Sequence, residues 1–148
     1  MANLGGSASV EIDAPIETVW AVVEDVLSAP DWQGGLDGMS ALERDEAGRA
    51  TVVETENDIK VRRVKARVRF DYEGPACLRW TQEQGDMKSV EGSWRLEDLG
   101  GGRTRATYTL DADPGRVLGL LIRGPVEVAT RALFVNGRPG ELKRRVEG

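Results

Sequence analysis

Apolar and polar residues alternate from Met39 to Ala112 with no helical period, in six strand-like stretches separated by turn residues. Turns are expected at Glu46-Ala47-Gly48, Asn57-Asp58, Gly74-Pro75, Gln84-Gly85-Asp86 and Gly100-Gly101-Gly102, which makes the stretches a meander of antiparallel strands. One more strand precedes them, because Ala8, Val10 and Ile12 alternate with polar neighbours between Ser7 and Asp13. Asp13-Ala14-Pro15 stops it. Pro15 and Glu17 then suit a helix start, and Ile16, Val19, Trp20, Val23 and Leu27 recur along one helical face, which assigns Trp20 to the core. A very short second helix is expected near Ala29 to Gln33, before Gly34, Gly35 and Gly38 open the chain into a loop.

After Asp113 and Pro114, the residues Val117, Leu118, Leu121 and Ile122 read as helical until Gly124-Pro125 interrupts. Helical spacing resumes through Val128, Ala132, Val135, Leu142 and Val146, and the expectation is that Pro139 kinks this helix near Gly137 to Gly140 without ending it. A sheet with one apolar face must be covered, and only the terminal helix is long enough. The fold class is α+β, and residues 1–148 make one domain with enough chain for a core and a pocket.

The run from Gly85 to Trp94 bears most directly on function. Val90, Gly92 and Trp94 share one strand face, as do Leu78 and Trp80 on the strand before, and an odd-numbered loop such as Gln84-Gly85-Asp86 brings the two faces together. Glycine weakens a strand interior unless something must come close there, so Gly92 points to a sheet wrapped around a space bordered by Trp94.

Composition narrows the chemistry. The chain has no histidine, which removes His-based triads, His-Cys zinc sites and imidazole proton shuttles together. No carboxylate pattern resembles a metal loop, no Gly-rich phosphate motif opens a helix, and no cofactor is expected. A net charge of -5 with interspersed signs argues against nucleic acid. Cys77 is the only cysteine, so no internal disulfide forms and a cytoplasmic setting fits best. Met1 to Ser9 lacks the basic and apolar segments of a signal peptide, and no apolar run is long enough to span a bilayer. Nothing in the pattern sets an oligomeric state.

Several side chains have both a structural and a functional reading. Trp80, Trp94 and Tyr108 line a pocket or simply pack; Trp32, beside the Gly34-Gly35 loop, suits its mouth, and Met39 an adaptable apolar contact under a possible lid. On the strand from Ile59 to Tyr72, the residues Arg63, Lys65, Arg67 and Arg69 share one parity, and Val64, Ala66, Val68 and Phe70 the other. The plain reading puts the basic row in solvent. Ile59 and Val61 belong to the basic parity, however, so either the strand end is exposed or a bulge switches faces. Glu54, placed diagonally across from Arg63 in a tight hairpin, reads as a cross-strand ion-pair partner, or as a general base if it faces a cavity.

Three segments resemble the START-like (helix-grip, SRPBCC) superfamily, in its bacterial polyketide cyclase/dehydrase and coenzyme Q-binding branch. They are Val10-Glu11-Ile12-Asp13-Ala14-Pro15 with Val19-Trp20 and Asp31-Trp32; Glu91-Gly92-Ser93-Trp94-Arg95-Leu96; and Gly102-Arg103-Thr104-Arg105-Ala106-Thr107-Tyr108. The resemblance implies a curved seven-stranded antiparallel sheet wrapped around a long C-terminal helix, two short helices between strands 1 and 2, and an elongated pocket for hydrophobic or aromatic ligands. In the aromatase/cyclase branch a strand arginine holds a substrate carbonyl, and Arg67 lies nearest that position.

Three functions are therefore carried forward. The first is binding of a lipid, isoprenoid or polyketide-like molecule at a site including Trp32, Met39, Trp80, Gly92, Trp94 and Tyr108, with burial supplying most of the affinity. The second is a polyketide aromatase/cyclase or dehydrase using Arg67 with Tyr108 or Glu54. The third is an interaction module that presents its convex arginine face to a macromolecule.

Overall fold

The computed structural model describes residues 4–148. Strand β1 (Leu4–Ile12) leads into helix α1 (Ile16–Glu24) and a 3-10 turn (Val26–Asp31); then come β2 (Leu36–Arg44), β3 (Ala50–Asp58), β4 (Arg63–Glu73), β5 (Cys77–Gly85), β6 (Ser89–Gly100) and β7 (Arg103–Asp113). Helices α2 (Gly115–Leu121) and α3 (Pro125–Arg131) follow, and a π-helical turn (Ala132–Asn136) joins α3 to α4 (Arg138–Glu147). The seven strands form one antiparallel sheet in the order β1-β7-β6-β5-β4-β3-β2, the helix-grip arrangement expected.

Alternation fixes which side of the sheet is inside. Along β4, Val64, Val68 and Phe70 are buried while Arg63, Lys65, Arg67 and Arg69 are exposed. The ambiguity at Ile59 and Val61 disappears because neither lies in the strand. The hairpin turn is residues 59–62, not Asn57-Asp58, with Ile59 N–H donating to the Arg62 carbonyl and Lys60 at φ +82°. Moving the turn also changes the pairing: Glu54 faces Arg67 and Asp58 faces Arg63, and Arg63 bonds to Glu56 at 3.0 Å.

The β5–β6 loop likewise lies two residues later than expected, at Asp86, Met87 and Lys88, and still has the odd length that aligns the inner faces. Leu78 is opposite Trp94, and Trp80 is opposite Gly92. The β6–β7 turn is built from Gly100, Gly101 and Gly102, all between φ +64° and +80°, a region that only glycine occupies without strain.

In place of a plain kink near Gly137 to Gly140, a π turn over Ala132–Asn136 precedes α4, which starts at Arg138. Pro139 has no N–H to donate, and just before it Gly137 N–H reaches the Ala132 carbonyl at 2.8 Å, the wide i→i+5 spacing of a π turn. That wide turn shifts the helix phase. Thr130, Phe134, Arg138 and Leu142, four residues apart, are buried together with Val135, whereas Val128 and Ala132, expected to face inward, are exposed. In α2 and the residue that caps it, Leu118 and Ile122 are buried while Val117 and Leu121 are exposed.

Candidate functional site

Between the concave sheet face and the terminal helix lies a cavity of about 160 Å³. Its walls come from every layer: the 3-10 turn and following loop, strands β2 to β7, and the helix. Five of the six residues proposed from sequence line it, namely Trp32, Met39, Trp80, Trp94 and Tyr108. The volume is close to the ~150 Å³ of an apolar cavity that accepts benzene, so the space suits one or two fused rings without further opening.

A continuous row of rings forms the main wall. Trp32 lies 6.3 Å from Trp94, Trp94 meets Tyr108 edge-on at 4.7 Å, Tyr108 lies 5.6 Å from Trp80, and Trp80 6.0 Å from Phe70. Tilted pairs at these separations match the quadrupole preference of aromatic rings, so the wall holds its shape. Gly92 supports this row in a way its alternation pattern did not reveal. It opens no void; a Cβ there would collide with the six-membered ring of Trp80, so the missing side chain is the seat of an indole. Gly74 plays the same part for Trp20, which packs on the core cluster outside the cavity.

Polar residues of the wall come from several elements, among them Gln33, Thr55, Asn57 and Gln82, and the helix adds a buried charge. Arg138 is 2% exposed, and one of its terminal nitrogens donates to the Gly34 carbonyl at 2.7 Å and to Glu141 Oε1 at 2.9 Å. Glu141 Oε2 accepts from Gly34 N–H at 2.7 Å, so the ion pair holds both backbone groups of the first loop glycine. Gly35 is pressed against Phe134, where a Cβ would come within 2.6 Å of the ring, and its φ of +79° also favours glycine. Sequence reasoning missed Arg138, although its position in the Phe134, Arg138, Leu142 series was a usable signal.

Among the described residues, three buried side-chain atoms lack a hydrogen-bond partner: Trp32 Nε1, Gln82 Oε1 and Arg138 Nε. All three belong to residues lining this cavity. Other buried hydroxyls are satisfied, with Thr130 in the cavity wall and Thr104 in the core donating to the carbonyls of Val126 and Ala14.

The remaining sequence candidates lie outside. Arg67 and Glu54 face each other on the exposed side of the sheet, so neither reaches the cavity, because strand parity prevails over a bulge there. Neighbouring cations are matched by acids, Arg69 with Glu83 at 2.7 Å and Arg63 with Glu56 and Asp37. That face is a mosaic of both signs. Among the described residues no group of His, Cys, Asp and Glu side chains gathers as a metal site, and no helix is long and apolar enough to cross a membrane.

Burial raises the pKa of both tyrosines. Tyr108 is driven up by desolvation, against an opposing pull from Arg138, and Tyr72, which donates to the Ala50 carbonyl, is pushed up to about 12. Because the neutral phenol is the form the fold favours, this stabilisation is complete below the unfolded value of 10.0 and is lost as pH rises towards 12. Tyrosinate absorbance of the native protein is therefore expected to stay well below half its final amplitude at about pH 10. A half-complete rise there would contradict the burial of both rings.

The sequence profile of a family described as polyketide cyclase/dehydrase and lipid transport matches residues 6–147. No curated protein matches the chain. Among solved structures, a START superfamily protein from Mycobacterium smegmatis is 22% identical with a TM-score of 0.82, covering 99% of this chain and 98% of that one. The Zhui aromatase/cyclase from Streptomyces sp. R1128 is 20% identical with a TM-score of 0.73, covering 97% and 93%. A Thermus thermophilus protein, also 20% identical, has a TM-score of 0.77 and covers 97% of each chain. At these identities the likeness is one of fold.

Proposed function

This chain belongs to the polyketide cyclase/dehydrase and lipid transport family, and from that premise we propose that it binds a hydrophobic, ring-containing small molecule in the cavity between sheet and terminal helix. The observation that carries this reading is the unbroken wall of Trp32, Trp94, Tyr108, Trp80 and Phe70 around a space of ring size. Flat rings stack on flat ligands, and apolar burial supplies the driving force. The test is extraction of the freshly purified protein into organic solvent, followed by mass spectrometry, with titration of the stripped protein by indane. A stoichiometric ring-bearing compound, or saturable indane binding, is expected; an empty extract together with no indane binding would sink the reading.

A cyclase reading remains chemically open only if its arginine moves. Arg67 is on the outer face and Glu54 beside it, whereas Arg138 is a buried cation in the cavity wall, which Lys65 and Arg131 also line. Arg67→Ala is accordingly expected to leave indane affinity within about twofold, the usual range of surface substitutions. A loss of tenfold or more, read by calorimetry, would return the strand arginine to the site.

A further inference from the structure

Large apolar side chains left in solvent gather on the outer surface of α2 and α3, where Val117, Leu120, Leu121 and Val128 are all exposed. Scattered ones would need no explanation, but a contiguous set does. Val117, Leu120 and Leu121 stand at i, i+3 and i+4 on one face of α2, while Leu118 and Ile122 turn inward. That inner pair packs in one cluster with Leu4, Ile59, Val64, Ala112 and Phe134, all of which line the cavity. One helix therefore separates the cavity wall from the exposed face.

We infer that this face is a docking surface for an anionic lipid bilayer. Charge is the first reason. Arg116 opens α2 and Arg123 follows its end; both are exposed, and neither makes an ion pair among the described residues. From Gly115 to Val126 there is no acid, in a chain whose net charge is -5. Neighbouring acids are already matched, Asp113 with Lys88 at 3.9 Å, Asp86 with Arg62 at 3.8 Å and Glu127 with Arg131 at 3.7 Å, and Asp58 shares the β3–β4 turn with Lys60. Apolar side chains edged by free cations match a surface of negative headgroups over lipid tails.

Shape is the second. Val117 is 71%, Val128 67% and Leu120 60% exposed, so these side chains stand out from the surface and leave no groove between them for a protein's own side chains. Lipid tails flow around such projections. The contact is interfacial, because seven residues at 1.5 Å each make either helix ~10 Å long against a hydrocarbon core of ~30 Å. A molecule held in the cavity then lies one helix away from the bilayer.

Co-sedimentation of the full chain with vesicles tests this, comparing phosphatidylcholine alone with an equal mixture of phosphatidylcholine and phosphatidylglycerol. Binding to the mixture is expected, and little to phosphatidylcholine. Arg116→Gln with Arg123→Gln should weaken it roughly 25-fold, about fivefold for each cation near an anionic surface, and Leu120→Ser with Leu121→Ser at least ~tenfold. Arg67→Gln with Arg95→Gln removes the same charge from the outer sheet face and should leave binding within about twofold in ~0.15 M salt, where distant charges are screened. Raising the salt to ~1 M should weaken wild-type binding as the first arginine pair does, a readout that needs no variant. Equal binding to both vesicles, or binding unmoved by either substituted pair on this face, would overturn the proposal. So would no vesicle binding: light scattering then assigns the face to a second copy if it shows a dimer that Leu120→Ser with Leu121→Ser dissolves, and to a protein partner if the chain is monomeric. No cavity ligand enters the experiment, so its failure leaves the ring-binding reading standing.

Discussion

Gly92→Ala is expected to unseat Trp80, destabilise the fold by roughly 1–3 kcal/mol as overpacked cores do, and abolish indane binding. The cause is local: the added methyl would occupy the position of the indole ring, and Gly92 faces Trp80 directly across β5 and β6. Trp80 also packs on both Phe70 and Tyr108, so its displacement breaks the wall in the middle. Gly38→Ala is the matched control. Nothing lies within 4 Å of a Cβ there and its φ is outside the left-handed region, so its effect should stay within about 0.5 kcal/mol. Urea unfolding followed by tryptophan fluorescence reads both; equal midpoints for the two variants would mean that Gly92 is ordinary strand backbone.

Glu141→Ala should cost more, about 3–5 kcal/mol, because it strands a cation that is almost fully buried. Two losses combine, since Glu141 Oε1 neutralises Arg138 and Oε2 receives Gly34 N–H. Glu141→Gln separates them: its amide oxygen can still accept from Gly34, so the variant is expected between alanine and wild type. The exposed Arg69–Glu83 pair is as short, at 2.7 Å, yet its breakage should move the unfolding midpoint far less because water already solvates both partners. If Glu141→Ala unfolded at the wild-type urea concentration, the pair would not be holding the loop. The same variant should raise proteolytic cleavage around Gly34 and Gly35, reporting release of the segment that carries Trp32.

Much of this was legible in the sequence because strands have a period of two. A parity argument alone put Arg67 in solvent and joined Leu78 and Trp80 to the face of Trp94. Turn chemistry was less reliable. Asn57-Asp58 has the composition of a tight turn, but the chain continues pairing through Asp58 and reverses over residues 59–62. The inner face of the terminal helix was hidden for two physical reasons. The π turn stretches the repeat to four residues, carrying Val128 and Ala132 outward, and two of the inward positions are Thr130 and Arg138, which resemble a solvated face to any apolar-pattern reading. Gly92 was recognised as a place of close approach. What came close was a side chain of this same protein, and no single-strand pattern identifies the partner across the ladder.

The cavity itself can be tested by following the four indole N–H signals in proton–nitrogen correlation spectra during titration with indane. Trp32, Trp80 and Trp94 line the space and their signals should shift together and saturate, while Trp20, packed on Gly74 outside it, should hold its position. Shifts confined to Trp20, or no saturable shift in the other three, would contradict a ring-binding interior.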